Sequence, residues 1–129
     1  MTEKTVQAAP TINEDTNAPA LDALTAIHES IPSASTVSHM ADVFSLLGDP
    51  GRIRILTALL NGPLKVRDIA AVTHQSQSSA SHSLRLLRAH HVVSATKKGR
   101  ESFYELEDQH VRSLLELTLA HVNHEGHTH

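Results

Sequence analysis

Between Asp49 and Leu106 the chain is cut by proline, glycine and polar turns into segments short enough to leave room only for brief helices and a hairpin. Asp49-Pro50 opens a helix, because Asp is a favoured N-cap and Pro a favoured first helical residue. Ile53, Leu56, Leu59 and Leu60 give that helix a core face, and Gly62-Pro63 ends it. A short helix over about 66–73 follows, packing Ile69, Ala70 and Val72. The polar turn His74-Gln75-Ser76 then leads into a helix over about 77–90. Two short helices joined by a tight turn predict a helix-turn-helix unit. Residues 92–96 and 102–106 read as strands around Lys97-Lys98-Gly99-Arg100, a basic hairpin with glycine at its turn. A last helix runs from about 109 to 123.

Upstream, Leu21, Leu24, Ile27 and Ile31 recur at helical spacing until Pro32. A second helix from about 35 carries Val37, Met40, Ala41, Phe44 and Leu47 and ends at Gly48. Residues 1–19 are polar, contain Pro10 and Pro19 and lack periodicity, so they predict a disordered arm. The sequence therefore reads as an arm (1–19), a winged helix-turn-helix domain (20–124) and a histidine-containing tail (125–129). The expected fold class is mainly α with a small β-hairpin wing.

With 129 residues there is enough chain for one modest core, and aromatics at 2% leave that core to Leu, Ile, Val and Ala. The absence of cysteine excludes disulfides, thiolate metal sites and thiol redox sensing. The first twenty residues hold no apolar run and no later run approaches membrane-spanning length, so a cytoplasmic location with no membrane partner is expected. No His-Glu-x-x-His element or nucleophile constellation is present, which argues against a zinc hydrolase or any other enzyme.

The net charge of −3 conceals a strong asymmetry. Lys65, Arg67, Arg85, Arg88, Lys97, Lys98 and Arg100 face only Asp68 between Gly62 and Arg100. Beyond Arg100 the sign reverses, with Glu101, Glu105, Glu107, Asp108, Glu116 and Glu125 against Arg112. A basic middle between acidic flanks is a localised footprint suited to phosphates. In the helix over 77–90, Ala80, Leu84, Leu87 and His91 fall on one face. Gln77, Ser78, Ser81, His82, Arg85 and Arg88 point outward, a set that can hydrogen-bond base edges and phosphates of double-stranded DNA. Lys97, Lys98 and Arg100 on the wing would reach phosphates or the minor groove beside it. The plainer alternative is an amphipathic surface helix followed by an edge-protecting charged turn.

The segments GDPGRIRILTALLNGPLKVRDIA, SQSSASHSLRLLR and KKGRESFYELEDQHV resemble the ArsR/SmtB family of bacterial metal-responsive winged-helix repressors, over about 41–124. The resemblance implies a homodimer that binds operator DNA with an imperfect inverted repeat and is released by an inducer. Thiolate-using relatives carry Cys just before the Asp of the short helix. Val66 and Arg67 precede Asp68 here, so that sensing site is absent.

The last helix raises a geometric problem. On a wheel of about 100° per residue, His110, Leu114, Leu117, His121 and His124 share a strip about 80° wide. A second strip, Val111, Leu115, Thr118 and Val122, is expected to pack on its own subunit, leaving Arg112, Ser113, Glu116, Ala120 and Asn123 mostly to solvent. His110 and His121 are eleven residues apart, about 16 Å at about 1.5 Å per residue. Imidazoles sharing one zinc each lie about 2.0–2.1 Å from it, so one straight helix cannot bring both to a single ion. Two antiparallel copies can. Asp108 and His110 of one would meet His121 and His124 of the other, with Leu114 and Leu117 at the dimer interface and two equivalent sites by symmetry.

Three imidazoles and one carboxylate suit tetrahedral Zn(II), and the pattern Asp-x-His-x10-His-x2-His matches the C-terminal-helix site of the family's zinc sensors. His127 and His129 are either frayed tail or added ligands of a Co(II) or Ni(II) site. The remaining alternative is a metal-independent winged-helix regulator whose histidines are interface polar groups. His121 is the expected relay from the metal towards His90 and His91 at the end of the reading helix.

Overall fold

The computed structural model describes residues 12–13 and 18–126. The chain divides into two units, 1–40 and 41–129. In the first, β1 (Ile12–Asn13) pairs antiparallel with β2 (Ala18–Pro19), so four residues of the stretch predicted to be a disordered arm form a short ladder. α1 (Leu21–Ser30) follows, and α2 (Ala34–Leu47) crosses the boundary. Their apolar stripes form as predicted, yet Leu21, Leu24, Val37, Met40 and Phe44 are all exposed.

The second unit contains the core. Asp49 caps α3 (Pro50–Ala58) as its sequence requires, its Oδ2 accepting the Arg52 N–H at 3.0 Å. A 3-10 turn (Leu59–Asn61) ends the segment at Gly62, whose φ of 124° lies where residues with a Cβ are strained. Ile55, Leu56 and Leu59 are fully buried, whereas Ile53 and Leu60 are only half-buried. Ile55 takes the central place expected of Ile53, because α3 meets neighbours on more than one side.

β3 (Leu64–Lys65), which periodicity did not reveal, pairs with β5 (Glu101–Leu106) and, with β4 (Val93–Lys98), makes the wing three-stranded in the order β3-β5-β4. α4 (Val66–Val72) buries Ile69 and Ala70, with Thr73 just beyond it taking the third inward place. Val72 is exposed, contrary to the expected packing. Ile69 and Thr73 are four apart and stack on one face, and Val72 turns away from it. The Thr73 hydroxyl is satisfied inside by donating to the Ile69 carbonyl at 2.7 Å.

Ser76 caps α5 (Gln77–Ala89) by accepting the Ser79 N–H at 3.0 Å. Ala80, Ser83, Leu84 and Leu87 form its buried face. Both α4 and α5 end in the same way. His74 and His91 adopt left-handed φ values of 57° and 59°, and Gln75 and Val92 donate back to Ala70 and Leu87 at 2.9 Å. His91 is thus an exposed cap rather than part of the core face.

β4 (Val93–Lys98) and β5 (Glu101–Leu106) pair from Val93↔Leu106 to Lys98↔Glu101, leaving a two-residue turn. Gly99, with φ 66°, supplies the left-handed first position of that turn. Lys97 and Lys98 therefore lie in the strand rather than in the loop, and Lys98 Nζ stands 5.5 Å from the Phe103 ring centre. α6 (Gln109–Gly126) closes the described chain.

Candidate nucleic-acid interface and metal-ligand helix

α5 presents its polar residues as the sequence predicts. Gln77, Ser78, His82, Arg85 and Arg88 are exposed, and Ser81 is half-buried beside them. The reason is local: burying Ala80, Leu84 and Leu87 turns the opposite side of the helix outward. Lys97, Lys98 and Arg100 are exposed on the wing, which β4–β5 pairing holds as a rigid ribbon. One face therefore carries short hydrogen-bonding side chains on a helix and cations on an adjacent hairpin. Lys65 and Arg67 line a groove with Gln77, Ser81 and Arg100 beside this face, a position that their place in the charge count did not reveal.

At the other end of the sequence, Asp108 begins α6. Its Oδ1 accepts the Val111 N–H at 3.1 Å, so the residue is an N-cap. Its Oδ2 lies 3.7 Å from His110 Nδ1. One oxygen closes the helix and the other faces the imidazole. The i, i+2 pair thus converges at the helix entry, where the chain is not yet helical. The Val111 N–H, opposed by desolvation and aided by His110, holds the Asp108 carboxyl below its ordinary value. His110, His121 and His124 are all exposed.

α6 docks through its first half. Leu115 is buried, Val111 is half-buried against the core, and Arg112 Nη1 donates to the Leu60 carbonyl at 2.9 Å. This corrects the expectation that Arg112 belongs to solvent. The docking face is centred between Leu115 and Arg112, rotated from the strip drawn on the wheel, and so Thr118 and Val122 are exposed instead of packed. Every side chain from Glu116 to His124 is exposed, and Leu117 is 71% accessible.

The structure thus brings together Asp108 and His110, but leaves His121 and His124 at the far end of α6. Among the described residues, no three His, Cys, Asp or Glu side chains converge on a metal position within one chain. Leu114 and Leu117 lie exposed between the two pairs. His127 and His129 lie outside the described residues. His90 Nδ1 lies 3.1 Å from the Leu86 carbonyl oxygen, a contact within its own helix turn. No helix among the described residues is long and apolar enough to cross a membrane.

Comparison with known proteins agrees with this architecture. A family model described as "Bacterial regulatory protein, arsR family" matches residues 49–95, from the cap of α3 into β4. The chain is 37% identical over 94 residues to a "Transcriptional repressor SmtB homolog" of Synechocystis, spanning 73% of this chain and 71% of that protein. It is 38% identical over 91 residues to the "HTH-type transcriptional regulator NmtR" of Mycobacterium tuberculosis, spanning 70% and 76% respectively. The solution structure of a homodimeric winged helix-turn-helix DNA-binding domain from Mycobacterium bovis superposes with a TM-score of 0.70 at 25% identity, over 78% of this chain and 95% of that one. The fold is a winged helix-turn-helix, and the chain belongs to the ArsR family of bacterial regulatory proteins.

Proposed function

We infer that this chain is a cytoplasmic, metal-responsive transcriptional repressor that binds operator DNA as a homodimer and is released when Zn(II) occupies two inter-subunit sites. The observation that carries the reading is the division of ligands on α6. Asp108 and His110 stand at its start and His121 and His124 at its end, with exposed Leu114 and Leu117 between. The donor set fits zinc: three imidazoles and one carboxylate, the latter already favoured in its charged form. It fits only across two antiparallel copies, since one helix spreads the two pairs about 16 Å apart. The related repressor from Synechocystis and the homodimeric Mycobacterium bovis domain supply the analogy for repression and pairing.

In this reading α5 enters the major groove, with Gln77, Ser78, Ser81, His82, Arg85 and Arg88 against bases and phosphates, while Lys97, Lys98 and Arg100 of the wing hold the backbone alongside. An imperfect inverted repeat matches the two-fold axis. The metal would supply a fixed link between the two α6 helices. These residues then do the rest: Val111, Leu115 and Arg112 tie α6 to the core and to the 3-10 turn before the wing. An altered angle between the α6 helices would therefore be passed to the domain as a rigid shift, misplacing the two α5 helices relative to grooves about 34 Å apart. Metal and DNA weaken each other reciprocally, typically by ~1–3 kcal/mol.

The test uses a duplex selected from a random pool and measures its affinity with and without zinc, cobalt or nickel. Zinc should weaken binding by wild type, and His121→Ala should bind DNA normally while losing that response. Retention of full zinc sensitivity by His121→Ala would overturn the site.

A further inference from the structure

A groove of about 450 Å³ lies between the start of α4, the start of α5 and the wing, and Lys65, Arg67, Gln77, Ser81, Arg100 and Glu101 are among its lining residues. Gln77, Ser81 and Arg100 already belong to the DNA-facing set. Lys65 and Arg67 join them because β3 pairs with β5, setting Lys65 opposite Phe103. Three cations against one carboxylate make the groove net positive. Lys65 Nζ lies 3.3 Å from Glu101 Oε2, with the two side chains 24% and 51% exposed. Ion pairs this accessible are weak, so a phosphodiester brought alongside competes effectively for the ammonium group.

We propose that this groove is a phosphate subsite of the DNA-binding face, in which Lys65 and Arg67 hold duplex-backbone phosphates and Glu101 occupies Lys65 in the free protein. The proposal rests on the DNA-binding reading above and adds a specific latch to it. Glu101 acts through Lys65 and is a positioning residue. By neutralising Lys65 until a phosphate displaces it, Glu101 reduces attraction to DNA at large, and the displaced carboxylate swings out from an exposed strand end. Phosphate contacts carry no base information directly, so the subsite strengthens binding to all duplexes alike.

The experiment measures affinity against salt concentration for the selected duplex and for a mixed-sequence duplex of equal length. Lys65→Gln should weaken binding equally on both and reduce the slope of log affinity against log salt by roughly 0.9 per lost contact, about 1.8 for a homodimer. Glu101→Gln should tighten binding to both by roughly two- to tenfold. That gain cannot come from a misfolded chain, and it should shrink when Lys65→Gln is also present. An unchanged salt slope in Lys65→Gln, or unchanged affinity in Glu101→Gln, would overturn the subsite while the DNA-binding reading stands. A wild type that binds neither duplex overturns that reading itself. Displacement of the duplex by inorganic phosphate beyond that by chloride at matched ionic strength would assign a small-anion site instead and overturn the duplex assignment.

Discussion

Asp108 shows how much one side chain can be asked to do. Its Oδ1 closes α6 on the Val111 N–H and its Oδ2 faces His110, so capping and the proposed ligation draw on different atoms of one carboxylate. The two roles separate by substitution. Asp108→Asn keeps a good N-cap but loses the charge, whereas Asp108→Ala loses both. Asp108→Asn should keep wild-type helix content by circular dichroism and bind zinc at least roughly tenfold more weakly by calorimetry, since losing even an outer-shell partner of a metal costs about that much. Zinc affinity equal to wild type would reduce the residue to a cap. Because the folded chain favours the ionised form, the associated stabilisation is present above the ordinary value of 3.8 and is lost as pH falls through the lower folded value. An NMR titration of the Asp108 carboxyl should therefore give a midpoint under 3.8. That Asp108 and His110 meet at the helix entry was legible from their spacing. The split between the two oxygens was not, since nothing in a spacing says which atom an amide will take.

Among the elements, those whose ends are written in side chains were legible. Asp49 before Pro50 and Ser76 before Gln77 act as the caps that their residue types promise. Other features depend on what lies across from the element and were invisible in the chain itself. Ile55 is central because α3 has neighbours on two sides, Val72 is exposed because Thr73 takes the inward place, and Arg112 finds a carbonyl 52 positions away. β3 is two residues long, below any periodic signal. α5 is the clearest case of an element with two separate duties. Leu84 is fully buried, so Leu84→Ala should cost about 2–5 kcal/mol in urea denaturation. Arg85→Ala, on the exposed side, should change stability by about 0.5 kcal/mol or less and yet weaken DNA binding. Comparable stability losses for the two variants would show that the faces are not so divided.

For the whole molecule, the α1, α2 and α6 apolar residues left exposed in a single chain are what the sequence could not explain by itself. Periodicity reports that a helix has an apolar face, not which body covers it. In the proposed dimer a second copy covers this face at α6, which gives the positions of the proposed ligands a further meaning. If each ion takes Asp108 and His110 from one chain and His121 and His124 from the other, damage at opposite ends of α6 is complementary. A chain carrying Asp108→Asn and His110→Ala, and one carrying His121→Ala and His124→Ala, should each fail to bind zinc as pure proteins. Unfolded together and refolded in equal amounts, half the pairs should be hybrids in which one position has lost every donor and the other keeps all four. Titration of the blend should recover about a quarter of the wild-type metal stoichiometry. Two silent proteins would thereby restore a working sensor site between them, while a blend as inert as its components would show that no ion is shared.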